Sequence, residues 1–150
     1  MHSIEINIRN TMSQLIANGL GPYEKSIAPV IRSIYEANCG IICDEHLPFS
    51  HLAQTPFNKA ENRPLLFIGL KDRKDPLEVV WSLLHEYGHV QQGEPTLAEI
   101  LKDGNAKQAR EKDAWNRAEL IMAADPFLRQ YAQHFSQYRD TLLGSYSKNS

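Results

Sequence analysis

The amino-acid sequence predicts an α+β fold: a single, mostly helical domain over residues 1–150, with a small sheet packed on one buried helix. Three observations carry this. Most of the chain spaces its apolar residues as helices do, between recognisable start and stop signals. Two short apolar runs, Gly40 to Cys43 and Leu65 to Leu70, have the length of strands. The segment from Pro76 to Gln92 is apolar nearly all round, and such a helix belongs in a core. A chain of 150 residues buries roughly two thirds of its unfolded surface, enough for one core without disulfide staples.

In chain order, Ile8, Met12, Leu15 and Ile16 predict a helix from Ile4 to Asn18, although Ile4, Ile6 and Ile8 also alternate like a strand. Gly19-Leu20-Gly21 breaks it. Pro22 suits the first position of a second helix with Ile27, Val30, Ile31, Ile34 and Tyr35 on one face, ended by Gly40. The polar stretch holding Pro48, Pro56 and Pro64 reads as loop or irregular strand, and Leu65 to Leu70 as a buried strand. Helices are then predicted from about Pro76 to Gln92, Leu97 to Lys102, Ala106 to Ala124 and Pro126 to Leu143, with a frayed tail over residues 145–150.

The composition narrows the function. Hydrophobic content of 42% with 23% charged residues excludes wholesale disorder, and a net charge of −2 supplies no basic field for nucleic acid. Lys71-Asp72-Arg73-Lys74 mixes signs and reads as a solvated turn. The N-terminus lacks the basic and apolar regions of a signal peptide, and no run approaches about 18 apolar residues, so a cytoplasmic protein without membrane contact is expected. Cys39 and Cys43 have no second Cys pair to complete a thiolate site and read as free core thiols.

The helix from Pro76 carries the chemistry. Asp75 is a good N-cap, Pro76 fits the first helical position, and Gly93 and Pro95 mark the end. Its polar residues Glu78, Ser82, His85, Glu86, His89 and Gln92 fall in one narrow stripe, which must find partners in a core or suffer a desolvation cost of several kcal/mol. His85 and His89, spaced i and i+4, can place two imidazole nitrogens on one metal at about 2.0–2.1 Å. Glu86 projects about 100° from His85, placed to take a proton from water beside the metal. Two histidines leave zinc in need of a third protein ligand and one open position. On the helix from Ala106, Glu111 is the acid set in the apolar stripe of Ala114, Trp115, Ala118, Ile121 and Met122, while Asp113 faces away and Glu119 lies at the edge. The bland reading of Glu111 is a surface pair with Lys107. Among other acids and histidines downstream, His134 is the strongest competitor.

His85-Glu86-Tyr87-Gly88-His89 followed by Glu111-Lys112-Asp113-Ala114 resembles the ImmA/IrrE-type metallopeptidases, in which an H-E-x-G-H helix is followed by a helix bearing E-x-x-A and further alanines. The likeness spans roughly residues 20 to 125 and includes the apolar strand Leu65 to Leu70, with Trp115 where that family often has Asn. The resemblance implies one zinc ion per chain on His85, His89 and Glu111, with Glu86 as catalytic base. It implies a zinc endopeptidase hydrolysing a peptide bond in an intracellular, regulatory protein; the alternative is a module that retains zinc and binds without cleaving, as in a phage or toxin-antitoxin system. Tyr131, His134 and Tyr138 share a stripe with Phe127 and are candidates for oxyanion or substrate contacts, though such a stripe also fits plain core. The strand Leu65 to Leu70 could hold an extended substrate if it lay at a sheet edge.

Overall fold

A computed structural model of the protein describes residues 4–53, 63–71, 75–93, 95 and 104–148. Helix α1 (Ile4–Leu15) buries Ile8, Thr11, Met12 and Leu15. The strand-like alternation at its start is settled by exposure: Ile4 and Ile6 face solvent. The helix stops earlier than its periodicity predicts. Ile16–Leu20 widens into a π-type turn, within which Asn18 (φ −104°, ψ 22°) and Gly19 (φ 96°, ψ 4°) leave helical geometry. Only glycine takes that positive φ at little cost. A 3₁₀ turn, Gly21–Tyr23, carries Pro22 and leads into α2 (Glu24–Glu36), whose Ile27, Val30, Ile31 and Ile34 are buried.

Strands β1 (Gly40–Asp44), β2 (His51–Ala53) and β3 (Leu65–Gly69) form a mixed sheet in the order β1-β3-β2. β1 pairs parallel to β3 from Gly40↔Leu65 to Asp44↔Gly69, and β2 pairs antiparallel through His51↔Phe67. β3 is therefore central, and the expectation that it could receive a peptide at an edge is overturned, because partner strands already take its hydrogen-bonding groups on both sides. Its continuous apolar character has the same origin. Leu66 and Ile68 are fully buried in the core cluster, while Leu65 and Gly69 on the other face are also covered. The short β2 arises in the polar stretch that reads as loop or irregular strand.

Helix α3 (Pro76–Gln92) starts as its sequence dictates: the Asp75 side chain accepts from the Leu77 N–H at 2.9 Å and Pro76 takes the first turn. It buries Leu77, Val79, Val80, Trp81, Leu83 and Leu84, and it contacts α2, the sheet and, most extensively, α4 (Gly104–Ala124). The helix expected over Leu97 to Lys102 lies outside the described residues. The element expected as one helix from Pro126 to Leu143 is two: α5 (Pro126–Arg129) and α6 (Ala132–Lys148), the latter running past the predicted frayed start at Ser145. Between them the chain turns at Gln130 and Tyr131, where Tyr131 N–H reaches Leu128 O at 2.9 Å. Phe135 of α6 meets Trp81 and Trp115 edge-on, at centroid distances of 5.2 and 5.7 Å, and closes the core behind α3 and α4. The result is the α+β architecture read from the sequence, a mostly helical domain with a small three-stranded sheet. No described helix is long and apolar enough to cross a membrane.

Candidate metal centre

The approach of α3 to α4 is set by small residues. Ala114 and Ala118 are fully buried, and a Cβ built on Gly88 would stand 2.5 Å from the Ala114 carbonyl oxygen and 3.1 Å from its Cα. Backbone lies against backbone at this crossing, so a side chain at 88 cannot be absorbed by a rotamer change. Gly88→Ala is expected to destabilise the protein by about 1–3 kcal/mol, as overpacking does. Gly144→Ala, on α6 where an added Cβ meets nothing within 4 Å among the described residues beyond its own stretch of helix, is expected to stabilise by about 0.5–1 kcal/mol through helix propensity. Urea unfolding of both variants checks the contrast; equal, small effects would mean that the helices are not held at this distance by Gly88.

One turn before Ala114, Glu111 turns inward. Its Oε2 lies 2.8 Å from His85 Nε2 and 3.3 Å from His89 Nε2, so the surface pairing with Lys107 is not what this carboxylate serves. Each of the three residues offers one ligand atom, all within 4.8 Å of one another, and this group could hold a metal ion. The donor set, two imidazole nitrogens and a carboxylate, suits a first-row divalent metal. Burial works against charge on Glu111, but hydrogen bonds from His85 and His89 outweigh it and hold the carboxyl down at about 2. At His85 burial prevails and lowers the imidazole below its usual range. At His89 burial also disfavours the cation, but Glu111, with Glu86 and Gln92, reverses the balance and raises it.

Glu86 sits at the edge of the trio, its Oε1 3.5 Å from His85 Nδ1, and is itself 7% exposed. Burial pushes its carboxyl up to about 7; His89 opposes the shift and Glu111 adds to it. A carboxyl poised near neutrality is suited to accept and return a proton at physiological pH.

The rings are held by neighbours that the sequence patterns leave without a role. Trp115 stacks on His85 at 4.3 Å with planes 9° apart, and its indole nitrogen is the one buried side-chain polar atom without a partner among the described residues. Gln92, counted in the polar stripe, has its Oε1 2.8 Å from His89 Nδ1. Its Nε2 donates to Arg110 O at 2.8 Å and to Asp113 Oδ2 at 2.9 Å, so Asp113, expected to face away, is joined to the site through Gln92. Such cross-helix hydrogen bonds leave no periodic signal in a sequence.

The three α6-side candidates are placed differently. His134 accepts from the Trp81 indole N–H at 3.0 Å on Nδ1 and meets Asp75 Oδ2 at 2.9 Å through Nε2, which ties α6 to the start of α3 and keeps His134 out of the His85, His89 and Glu111 group. Tyr131 packs edge-on against Tyr23 and Phe127. Tyr138 lies nearer the metal group: its hydroxyl is 3.0 Å from Ser82 Oγ, one turn before His85, and its ring meets Trp115 at 6.1 Å. Cys39 and Cys43 are free, as expected, and burial pushes both thiols up to about 11, which disfavours the thiolate a metal or nucleophile needs.

No family model, no curated protein and no solved structure matches the chain. The residues themselves therefore carry the functional reading.

Proposed function

We propose that the chain is a zinc-dependent endopeptidase of the ImmA/IrrE type acting on an intracellular protein, with one zinc ion on His85, His89 and Glu111 and with Glu86 as general base. The observation that carries the reading is the convergence of two histidine Nε2 atoms on the Glu111 carboxylate, at 2.8 and 3.3 Å, with the buried carboxyl of Glu86 beside them. A zinc ion held by His85, His89 and Glu111 would supply Lewis acidity and lower the pKa of water toward about 7. Glu86 takes the proton of the attacking water and returns it to the leaving amine, a task its buried carboxyl beside the trio is placed to perform. Glu111 spends its charge on the ligand trio, so the two acids have separate tasks: one stays ionised, the other exchanges a proton.

A second reading, a zinc-holding module that binds a partner without cleaving it, is favoured by one observation: His85, Glu86 and His89 are only 6–8% exposed. The two readings separate in one experiment. Zinc-loaded protein is incubated with a mixture of intracellular proteins, with and without a zinc chelator, and newly formed N-termini are mapped by mass spectrometry. New termini that depend on zinc are the expected result. Their absence, with zinc bound, would leave the non-cleaving module.

A further inference from the structure

We infer that Gln92 is a positioning residue that fixes the tautomer and ring orientation of His89 for metal binding, an inference that rests on the zinc reading above. The chemistry of the amide leaves one arrangement. One end of the Gln92 side chain lies 2.8 Å from the Arg110 carbonyl oxygen and 2.9 Å from an Asp113 carboxylate oxygen. Both are acceptors, so this end must be the NH₂ group, and the other end is the carbonyl. That carbonyl oxygen lies 2.8 Å from His89 Nδ1. A carbonyl cannot donate, so Nδ1 carries a proton; Nε2 donates to the Glu111 carboxylate in the metal-free site, and with Nδ1 kept protonated by Gln92 it is Nε2 whose proton a metal would replace. The bond thus selects the nitrogen that a metal needs free.

The support extends outward. The Asp113 oxygen that accepts from Gln92 also accepts from Arg117 Nε at 2.8 Å, and Arg110 donates to Gly93 O at 2.7 Å. The end of α3 and the first half of α4 are therefore clamped around the Gln92 amide, and a shift of either helix would move His89. His85 is held by another device, the stacked Trp115 ring, so the effect of Gln92 falls on one ligand of the three.

The test compares wild type, Gln92→Ala and Gln92→Glu in zinc competition titrations, urea unfolding and ¹H–¹⁵N spectra that report which nitrogen of His89 bears the proton. Gln92→Ala is expected to weaken zinc binding about 10–100-fold, the usual effect of losing an outer partner of a metal ligand. Gln92→Glu keeps an acceptor at Nδ1 but turns a carboxylate toward Arg110 O and Asp113. It is expected to lose more folding stability than Gln92→Ala and yet to bind zinc more tightly than Gln92→Ala does. A merely structural Gln92 gives the opposite order, with affinity following stability, and that order overturns the inference. So does undiminished zinc affinity in Gln92→Ala. If the wild type binds no zinc, the metal reading fails, while metal-free spectra still decide on Gln92: a slowly exchanging Nδ1 proton on His89 that Gln92→Ala loses supports its role, and one unaffected by that substitution overturns it.

Discussion

Glu86→Gln is expected to lower peptide-bond cleavage by about 10²–10⁴-fold, the range over which general acid–base groups act, while zinc affinity stays close to that of the wild type. The amide has the shape of the carboxyl but cannot take a proton from water, and Glu86 is not one of the three converging ligands. A second readout needs no substrate. In the metal-free protein the folded-state carboxyl of Glu86 titrates at about 7 against an ordinary 4.5. Between these values the unfolded chain releases the proton while the folded chain retains it, so the stability that Glu86 contributes is present below about 4.5 and is lost as pH rises to 7. Glu86→Gln has no such titration. Urea unfolding with chelator present, at pH 5 and at pH 8, is therefore expected to show the variant gaining stability relative to wild type at the higher pH. Equal differences at the two pH values, with cleavage undiminished, would place the base elsewhere.

Glu111→Ala is expected to weaken zinc binding by more than the about 10–100-fold typical of an outer partner, because it removes a ligand itself. Neighbouring substitutions calibrate the loss. Glu119 pairs with Arg139 at 3.4 Å, and its replacement by Ala should leave zinc affinity nearly unchanged. Asp113→Ala should fall between the two, since Asp113 accepts from Gln92 and so reaches His89 at one remove. His134→Ala should loosen α6 from α3, where His134 joins Trp81 and Asp75, without affecting zinc. Chelator competition titrations on folded variants give the order. Loss of binding in His134→Ala with binding intact in Glu111→Ala would point to a three-histidine site.

Features set by one helix are the ones readable in the sequence. The Asp75-Pro76 start of α3, its burial on nearly all sides, and the shared face of His85 and His89 follow from 3.6-residue periodicity and capping chemistry. Glu111 is legible for a related reason: an acid in the stripe of Ala114, Trp115 and Ala118 has to face inward. Features that depend on partners distant in the chain are not readable. The central place of β3 follows from pairing with β1 and β2, which its apolar composition fits but does not specify. The turn at Gln130 and Tyr131 carries no Gly or Pro to announce it. His134 shares a stripe with Tyr131 and Tyr138, and only the packing of α6 on α3 directs it to Trp81 and Asp75 rather than to the metal group. Gln92 stands in the polar stripe of the motif helix, yet its partners Arg110 and Asp113 lie on the next helix.

Zinc X-ray absorption on protein reconstituted with zinc and then dialysed reads the identity of the metal and of its ligands at once. One zinc per chain is expected, bound by two imidazole nitrogens at about 2.0–2.1 Å and by oxygen at about 2.0–2.2 Å, with no sulfur near 2.3 Å. Zinc lost on dialysis, or a sulfur shell from Cys39 or Cys43, would contradict it.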